Sequence, residues 1–173
     1  MLALQLEPID LSKHSARCVA FRRDTYLCGF GAQAEARFAQ DNGPNGELYL
    51  PWLAGRLAGF PEGHVHAWYE GRIVGQLEMI AQQRDEPACG YVNLFYLVPE
   101  ARGAGLGEPL HDYAVALALA YGAEKLRLSV SPSNTRALRY YAKHGWRSLG
   151  PSPGSEHLHL CELSLRSALR EQG

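Results

Sequence analysis

No window of this sequence approaches the ~20 consecutive apolar residues that cross a bilayer. The amino-terminal stretch MLALQLEPIDLSKH carries early acidic residues and no sustained apolar core, so neither membrane insertion nor export is expected and the expected location is cytoplasmic. Cysteine is scarce: Cys18, Cys28, Cys89 and Cys161 lie far apart and never form C-x-x-C. That spacing argues against a zinc ribbon, a redox motif and a disulfide framework. An excess of one charge is also missing, since 17 Lys and Arg face 18 Asp and Glu for a formal net charge of -1. No overall field therefore recruits nucleic acid or an anionic membrane surface. No repeat, low-complexity tract or linker interrupts the 173 residues. One domain over 1–173 is expected, long enough to bury roughly two-thirds of its unfolded surface. The pairs His64/His66 and His157/His159 have a spacing compatible with metal, but no third ligand lies at a suitable local distance, and no metal is expected.

What is present begins with a short edge strand over 2–6 and a helix capped by Asp10 or Ser12 that turns Ala16, Val19, Ala20 and Phe21 inward. FRRDTYLCGFG, rich in aromatics and charge and ending on two glycines, suits a loop more than a helix interior, a helix end with solvated arginines being the other reading. A short helix over 32–39 stops at DNGPNG. ELYLPWLAGRLAGF reads as a further helix with Leu48, Trp52 and Leu57 as core candidates. HVHAWYEGRIVGQLEMIAQQ is a hairpin joined around Glu70, Gly71 and Arg72; Val74, Gln76, Glu78 and Ile80 share one face of its second strand. After the polar turn QRDEPACG come a strand at 91–98, a helix from about Leu106 to Tyr121, the strand KLRLSV, and a helix capped by Asn134 or Ser133 and stopped at Gly145. A terminal strand, HLHLCELSLR, closes the chain.

The centre of this arrangement is the passage from Gly90 to Tyr121. An apolar strand ends in Pro-Glu, and Gly103, Gly105 and Gly107 open directly into a helix. Alternate glycines let backbone N–H groups approach an anion at the positive end of that helix, which suits a pyrophosphate. The lysine and hydroxyl of a P-loop are absent, and the G-x-G-x-x-G spacing fails. About thirty residues on, after another strand, stands NTRALRYYAKHGW.

The two signatures in this order closely resemble the GNAT superfamily of acyl-CoA-dependent N-acetyltransferases. Its first pattern is matched by Arg102, Gly105 and Gly107. Its second is matched by Asn134, Ala137, Tyr141, Lys143, Gly145 and Trp146. The resemblance covers roughly Val65 to Trp146. It implies a single α/β (α+β) domain with a mixed, mostly antiparallel, splayed sheet flanked by helices. Acetyl-CoA is the implied co-substrate, its pantetheine arm lying between strands 91–98 and 126–130. The backbone at Leu97 and Val98 would polarise the thioester carbonyl, and the pyrophosphate would sit over Arg102, Gly103, Ala104, Gly105, Leu106 and Gly107. Glu108 departs from the basic or hydroxyl residue more common in the family, because a carboxylate beside phosphates is unfavourable unless it points away.

The implied reaction moves an acetyl group to a primary amine, small molecule or peptide, by direct attack. The resemblance makes Tyr141 the acid for the departing thiolate, unless it only packs against the helix of the first motif. Asn134 would contact the pantetheine arm, cap its helix, or both. Glu78 is the first candidate for the base that takes the amine proton, the alternative being a solvated strand face. Asn93 would hold a water, and Asp24 and Tyr26 would recognise the amine. A homodimer is ordinary for the family. The rival reading is a non-catalytic acyl-CoA-binding regulatory module.

Overall fold

The computed structural model describes residues 3–166. Its strands are β1 (Gln5–Pro8), β2 (His64–Tyr69), β3 (Arg72–Ile80), β4 (Cys89–Leu97), β5 (Lys125–Val130), β6 (Arg147–Ser152) and β7 (Ser155–Ser164). Its helices are α1 (Leu11–Phe30), α2 (Ala34–Asn42), α3 (Tyr49–Gly59), α4 (Gly107–Ala120) and α5 (Thr135–Lys143). The strands form a mixed, mostly antiparallel seven-stranded sheet in the order β1, β2, β3, β4, β5, β7, β6. Two compact units are distinguished by their internal contacts: Met1–Glu78 with Leu94–Tyr113, and Met79–Asn93 with Ala114–Gly173. Among the described residues no helix is long and apolar enough to cross a membrane.

In the first unit β1, β2 and β3 pair antiparallel, with a bulge between Ala67 and Trp68. The hairpin turns on Glu70 and Gly71 at φ 50° and 73°, the pair of left-handed residues that a two-residue turn between twisted strands requires. Gly75 is held by close approach: a Cβ there would lie 2.5 Å from the carbonyl oxygen of Tyr96.

Helix α1 is capped by Asp10, whose carboxylate accepts the Ser12 N–H at 3.0 Å, and it kinks at His14. It then runs unbroken through FRRDTYLCGF, where a loop was expected. Tertiary bonding accounts for the difference. Arg22 donates to Asn42, Arg23 to Glu35 and the Pro44 carbonyl, and Tyr26 to Asp41. A mixed polar segment that reads as irregular is thus anchored from its sides, and tertiary context overrides weak local preference. The same helix buries Cys18 and Phe21, whereas Ala16 and Ala20 are exposed. Ile9, Cys18, Tyr49 and Leu53 form one core cluster, with Val19, Trp52 and Leu57 packed against it. Leu48, expected in the core, is 62% exposed because the helix begins one residue later and turns Tyr49 inward instead.

In the second unit the first four residues of β4 run parallel to β5, from Cys89↔Lys125 to Val92↔Leu128. β5 and β6 both pair antiparallel with β7. The strand β6 was not foreseen; its Arg-Ser-Leu-Gly-Pro-Ser has little β character, and its partner β7 supplies the apolar alternation.

One polar face is tied by a charge network. Arg127 donates to Glu162 at 2.8 Å and Glu86 at 2.6 Å, Lys125 reaches Glu86 at 2.9 Å, and Arg147 reaches Glu162 at 3.2 Å. Burial alone would raise the Glu162 carboxyl, but the hydrogen bonds from Arg127 and Arg147 outweigh it and hold the group below its ordinary 4.5. The hydrogen bonds from Lys125 and Arg127 do the same for Glu86. A depressed folded pKa contributes stability that is present above the unfolded value and lost as pH falls through the folded one. Glu162→Gln is therefore expected to lower stability at pH 7 by about 1.5–3 kcal/mol, the range of a hydrogen bond to a charged partner. It should also flatten the acid limb below about pH 4.5. Urea unfolding of both proteins across pH 3–7 checks this, and parallel curves would contradict it.

Candidate functional site

In the first unit β4 runs on from Leu94 to Leu97 and ends in the turn Pro99–Ala101, and α4 opens at Gly107. Between them Gly103 and Gly105 sit at φ 78° and 82°, left-handed backbone that side chains disfavour. A Cβ on Gly105 would meet nothing within 4 Å, so this glycine borders open space at a helix N-terminus, whose first-turn N–H groups have no partner inside the helix. The geometry suits an anion. An open groove of about 620 Å³ reaches the same loop at Ala104 and Leu106, walled by His14, Arg17, Trp68 and Arg72.

The backbone near the end of β4 is partly committed. The Val98 N–H donates to the Val74 carbonyl at 2.8 Å, which removes it as a group for a thioester oxygen. Successive backbone groups of a strand point to opposite edges, so the Leu97 N–H faces away from β3. Arg102 turns its side chain back onto the end of β4 and α1. Its backbone N–H bonds Pro99, and its guanidinium donates to the Leu97 carbonyl at 2.9 Å and to Asp24 at 3.1 Å, over the Tyr96 ring. Tyr96 donates its hydroxyl to the same Asp24 oxygen. Asp24 thus serves as the anchor of an Arg-Tyr pair, and the exposed Cys28 has its Sγ 3.9 Å from Arg102. Tyr26, bonded to Asp41, stands on the helix interior and not in a loop.

Glu78 is fully buried, so the solvated-face reading fails. Its carboxylate accepts from Tyr49 and from Gln76, the latter at 2.7 Å, and Arg22 approaches to 3.7 Å with its guanidinium over the Tyr49 and Trp52 rings. Burial pushes the carboxyl up while Arg22 pulls it down. Gln76 bonds onward to His66 at 2.8 Å, and His66 lies 3.6 Å from Cys18. Burial lowers His66 to about 4 and raises Cys18 to about 12, so this His–Cys pair is uncharged at neutral pH and lacks the thiolate that a nucleophile needs. Among the described residues no group of three or more His, Cys, Asp or Glu is arranged to hold a metal ion.

In the second unit Asn134 caps α5, its side-chain oxygen accepting the Ala137 N–H at 3.2 Å. Tyr141 packs its ring against Trp146 at 5.6 Å and edge-on to Tyr140 at 5.8 Å. Burial pushes its phenol above the ordinary 10, with Tyr140 and Cys161 adding to the effect, so it stays protonated at neutral pH. Asn93, the first residue after the last β4–β5 rung, has a shielded side-chain oxygen with no hydrogen-bond partner. Two residues back on the same strand, Tyr91 donates to Ser129 at 2.8 Å, and the Ser129 and Ser152 hydroxyls are hydrogen-bonded at 2.5 Å. The sequence reading missed this chain of hydroxyls. Ser129 continues the polar side of an alternating strand, after Lys125 and Arg127, and so carries no signal of its own, and Ser152 stands at the end of the unforeseen β6.

Comparison with known proteins gives these features a setting. The model of the acetyltransferase (GNAT) family matches residues 23–146. An uncharacterised N-acetyltransferase of Mycobacterium tuberculosis is 34% identical over 84 residues, 49% of this chain and 52% of that protein. The chain thus spans about half the length of the curated relatives it matches. Among solved structures, the PaiA N-acetyltransferase of Thermoplasma acidophilum in complex with coenzyme A has a TM-score of 0.74 at 15% identity, covering 94% of this chain and 99% of that one. Arabidopsis thaliana Naa50 in complex with the bisubstrate analogue CoA-Ac-MVNAL has 0.65 at 14%, covering 93% and 98%. At these identities the likeness is one of fold. A family match that begins inside α1, takes in the glycine loop, and ends on the tryptophan after α5 shows that this chain belongs to the acetyltransferase (GNAT) family.

Proposed function

We propose that the protein transfers an acetyl group from acetyl-CoA to a primary amine of a small molecule or peptide by direct nucleophilic attack. The observation that carries this reading is the glycine loop, left-handed at Gly103 and Gly105 and opening onto α4 beside a strand end with an outward N–H. The residues fit the group: Gly105 leaves the space that a side chain would fill. The neighbours from Thermoplasma and Arabidopsis, solved with coenzyme A and a CoA-peptide analogue, support the donor class and an amine acceptor.

When bound, acetyl-CoA supplies a carbonyl activated by a thiol leaving group. The N–H groups from Gly103 to Gly107, with the positive end of α4, hold the diphosphate. Leu97 offers its N–H to the negative charge that develops on the thioester oxygen, a stabilisation that needs no side chain. Tyr141, kept protonated by burial, donates to the departing sulfur and regains a proton from water. Asn134 divides its amide between capping α5 and the pantetheine arm. Asn93 lends an acceptor to the amine, and Asp24 and Tyr26 border the approach. Glu78 has no exposed atom and so takes no proton from the amine directly.

A panel of amines and short peptides, with release of free thiol as the readout, tests the reading. Amine-dependent release is expected. Binding of acetyl-CoA without release across the panel would instead favour an acyl-CoA-binding regulatory module.

A further inference from the structure

Arg102 keeps its side chain inside the protein, and it lands on the residue whose N–H the proposed reaction uses. We propose that Arg102 is a positioning residue for acetyl transfer: anchored by Asp24 and Tyr96, it caps the Leu97 carbonyl and so fixes the Leu97 N–H in register with the glycine loop. This rests on the acetyl-transfer reading and adds to it the group that aims the N–H.

The peptide between Leu97 and Val98 is held on both sides. Its N–H donates to the Val74 carbonyl at 2.8 Å, and its C=O, which points the opposite way in a trans peptide, accepts from Arg102 Nε at 2.9 Å. A strand residue turns its N–H and C=O to the same edge, so the guanidinium sits on the edge to which the Leu97 N–H points. With that peptide pinned, the N–H loses its freedom to turn away. The Leu97 oxygen is also the negative group next to the N–H along this edge, and a guanidinium on it offsets the repulsion that charge developing on a thioester oxygen would meet.

Arg102 is itself held. Its terminal nitrogen donates to Asp24 Oδ2 at 3.1 Å, and the Tyr96 hydroxyl donates to the same oxygen at 2.5 Å. The guanidinium carbon lies 5.4 Å from the centre of the Tyr96 ring, which packs at 4.7 Å against Phe21 of α1. The side chains of Arg102 and Asp24 are only 22% and 30% exposed, so their pairing is not one of the solvated surface contacts that hold nothing in place.

This strut joins two parts of the donor site. The Ala101 N–H bonds the Val98 carbonyl at 2.9 Å and the Arg102 N–H bonds the Pro99 carbonyl at 3.2 Å, so the side chain folds back to Leu97 while the main chain leads directly into Gly103 at φ 78°. One residue thereby serves the thioester end through its side chain and the diphosphate loop through its backbone. Both ends of a donor must be engaged at once, and a misplacement of about 1 Å costs on the order of 100-fold in rate.

Arg102→Ala should lower kcat on the order of 100-fold, while calorimetry finds coenzyme A bound nearly as tightly as by the wild type. Arg102→Gln sets an amide nitrogen as many bonds from Cα as the arginine Nε, without the charge, and should recover most of the rate. A neutral side chain would not do so were Arg102 a phosphate ligand. Amide exchange at Val98 in the free protein should quicken in the Ala variant and slow again in the Gln variant. Asp24→Ala should lower kcat in the wild type and do little in Arg102→Gln, where no guanidinium remains to be anchored. Arg102→Met, of similar length and without a donor, takes the place of the Ala variant should that fail to fold. Equal rates in the Ala or Met and Gln variants, or coenzyme A affinity lost alike in all of them at unchanged kcat, would overturn the strut while leaving acetyl transfer standing. Failure of the wild type to release thiol with any amine would instead remove acetyl transfer, and the role of Arg102 in it.

Discussion

Gly105→Asp is expected to leave the protein folded and to abolish binding of coenzyme A. The position tolerates volume, since a Cβ there meets open space, but its φ of +82° lies in the left-handed region. An ordinary side chain there costs roughly 1–2 kcal/mol, and Asn or Asp somewhat less because their side chains bond locally. The larger effect is charge. A carboxylate about 4 Å from a diphosphate is opposed by roughly 4 kcal/mol per pair of unit charges near a protein surface. Gly105→Asn has the same shape without the charge, so calorimetric titration should find binding in the Asn variant and none in the Asp variant. Equal binding by the two would show that the loop does not hold the phosphates.

Tyr141→Phe should lower kcat on the order of 100-fold and leave affinity for coenzyme A nearly as it was. The ring keeps its contacts with Trp146 and Tyr140, so only the hydroxyl is lost. Because burial raises the phenol above its ordinary 10, the group stays a donor through neutral and mildly alkaline pH. The wild-type pH profile should therefore show no fall assignable to this tyrosine below pH 10. An unchanged rate in the Phe variant, with chemistry limiting, would remove Tyr141 from the mechanism.

The parts of this molecule that could be read in its sequence are those whose cause is local. Asp10 and Asn134 cap their helices because a short acceptor precedes an apolar period. The Glu70-Gly71 turn and the stop at Gly145, φ 87°, follow from backbone that few residues adopt. The glycine loop and the Asn134–Trp146 pattern were legible for the same reason. What could not be read depends on partners distant in sequence. The second half of α1 is helical because Arg22, Arg23 and Tyr26 find acceptors on or just beyond α2. Glu78 looks like a strand-face carboxylate until α1 and α3 bring Arg22 and Tyr49 over it. The strand β6 exists by virtue of β7. The same holds for site residues: nothing near Arg102 announces that its side chain turns back to Leu97 and Asp24.

The four thiols differ in access in a way that can be used. Cys18, Cys89 and Cys161 are buried and Cys28 is exposed, and burial both shields the first three thiols and raises them above their ordinary value. A maleimide dye should therefore attach at a single position without any engineered cysteine. That position is one helical turn from Asp24 and beside the guanidinium that caps the Leu97 carbonyl. The native protein thus comes with an optical reporter site next to its glycine loop, on which coenzyme A titrations can be followed by fluorescence.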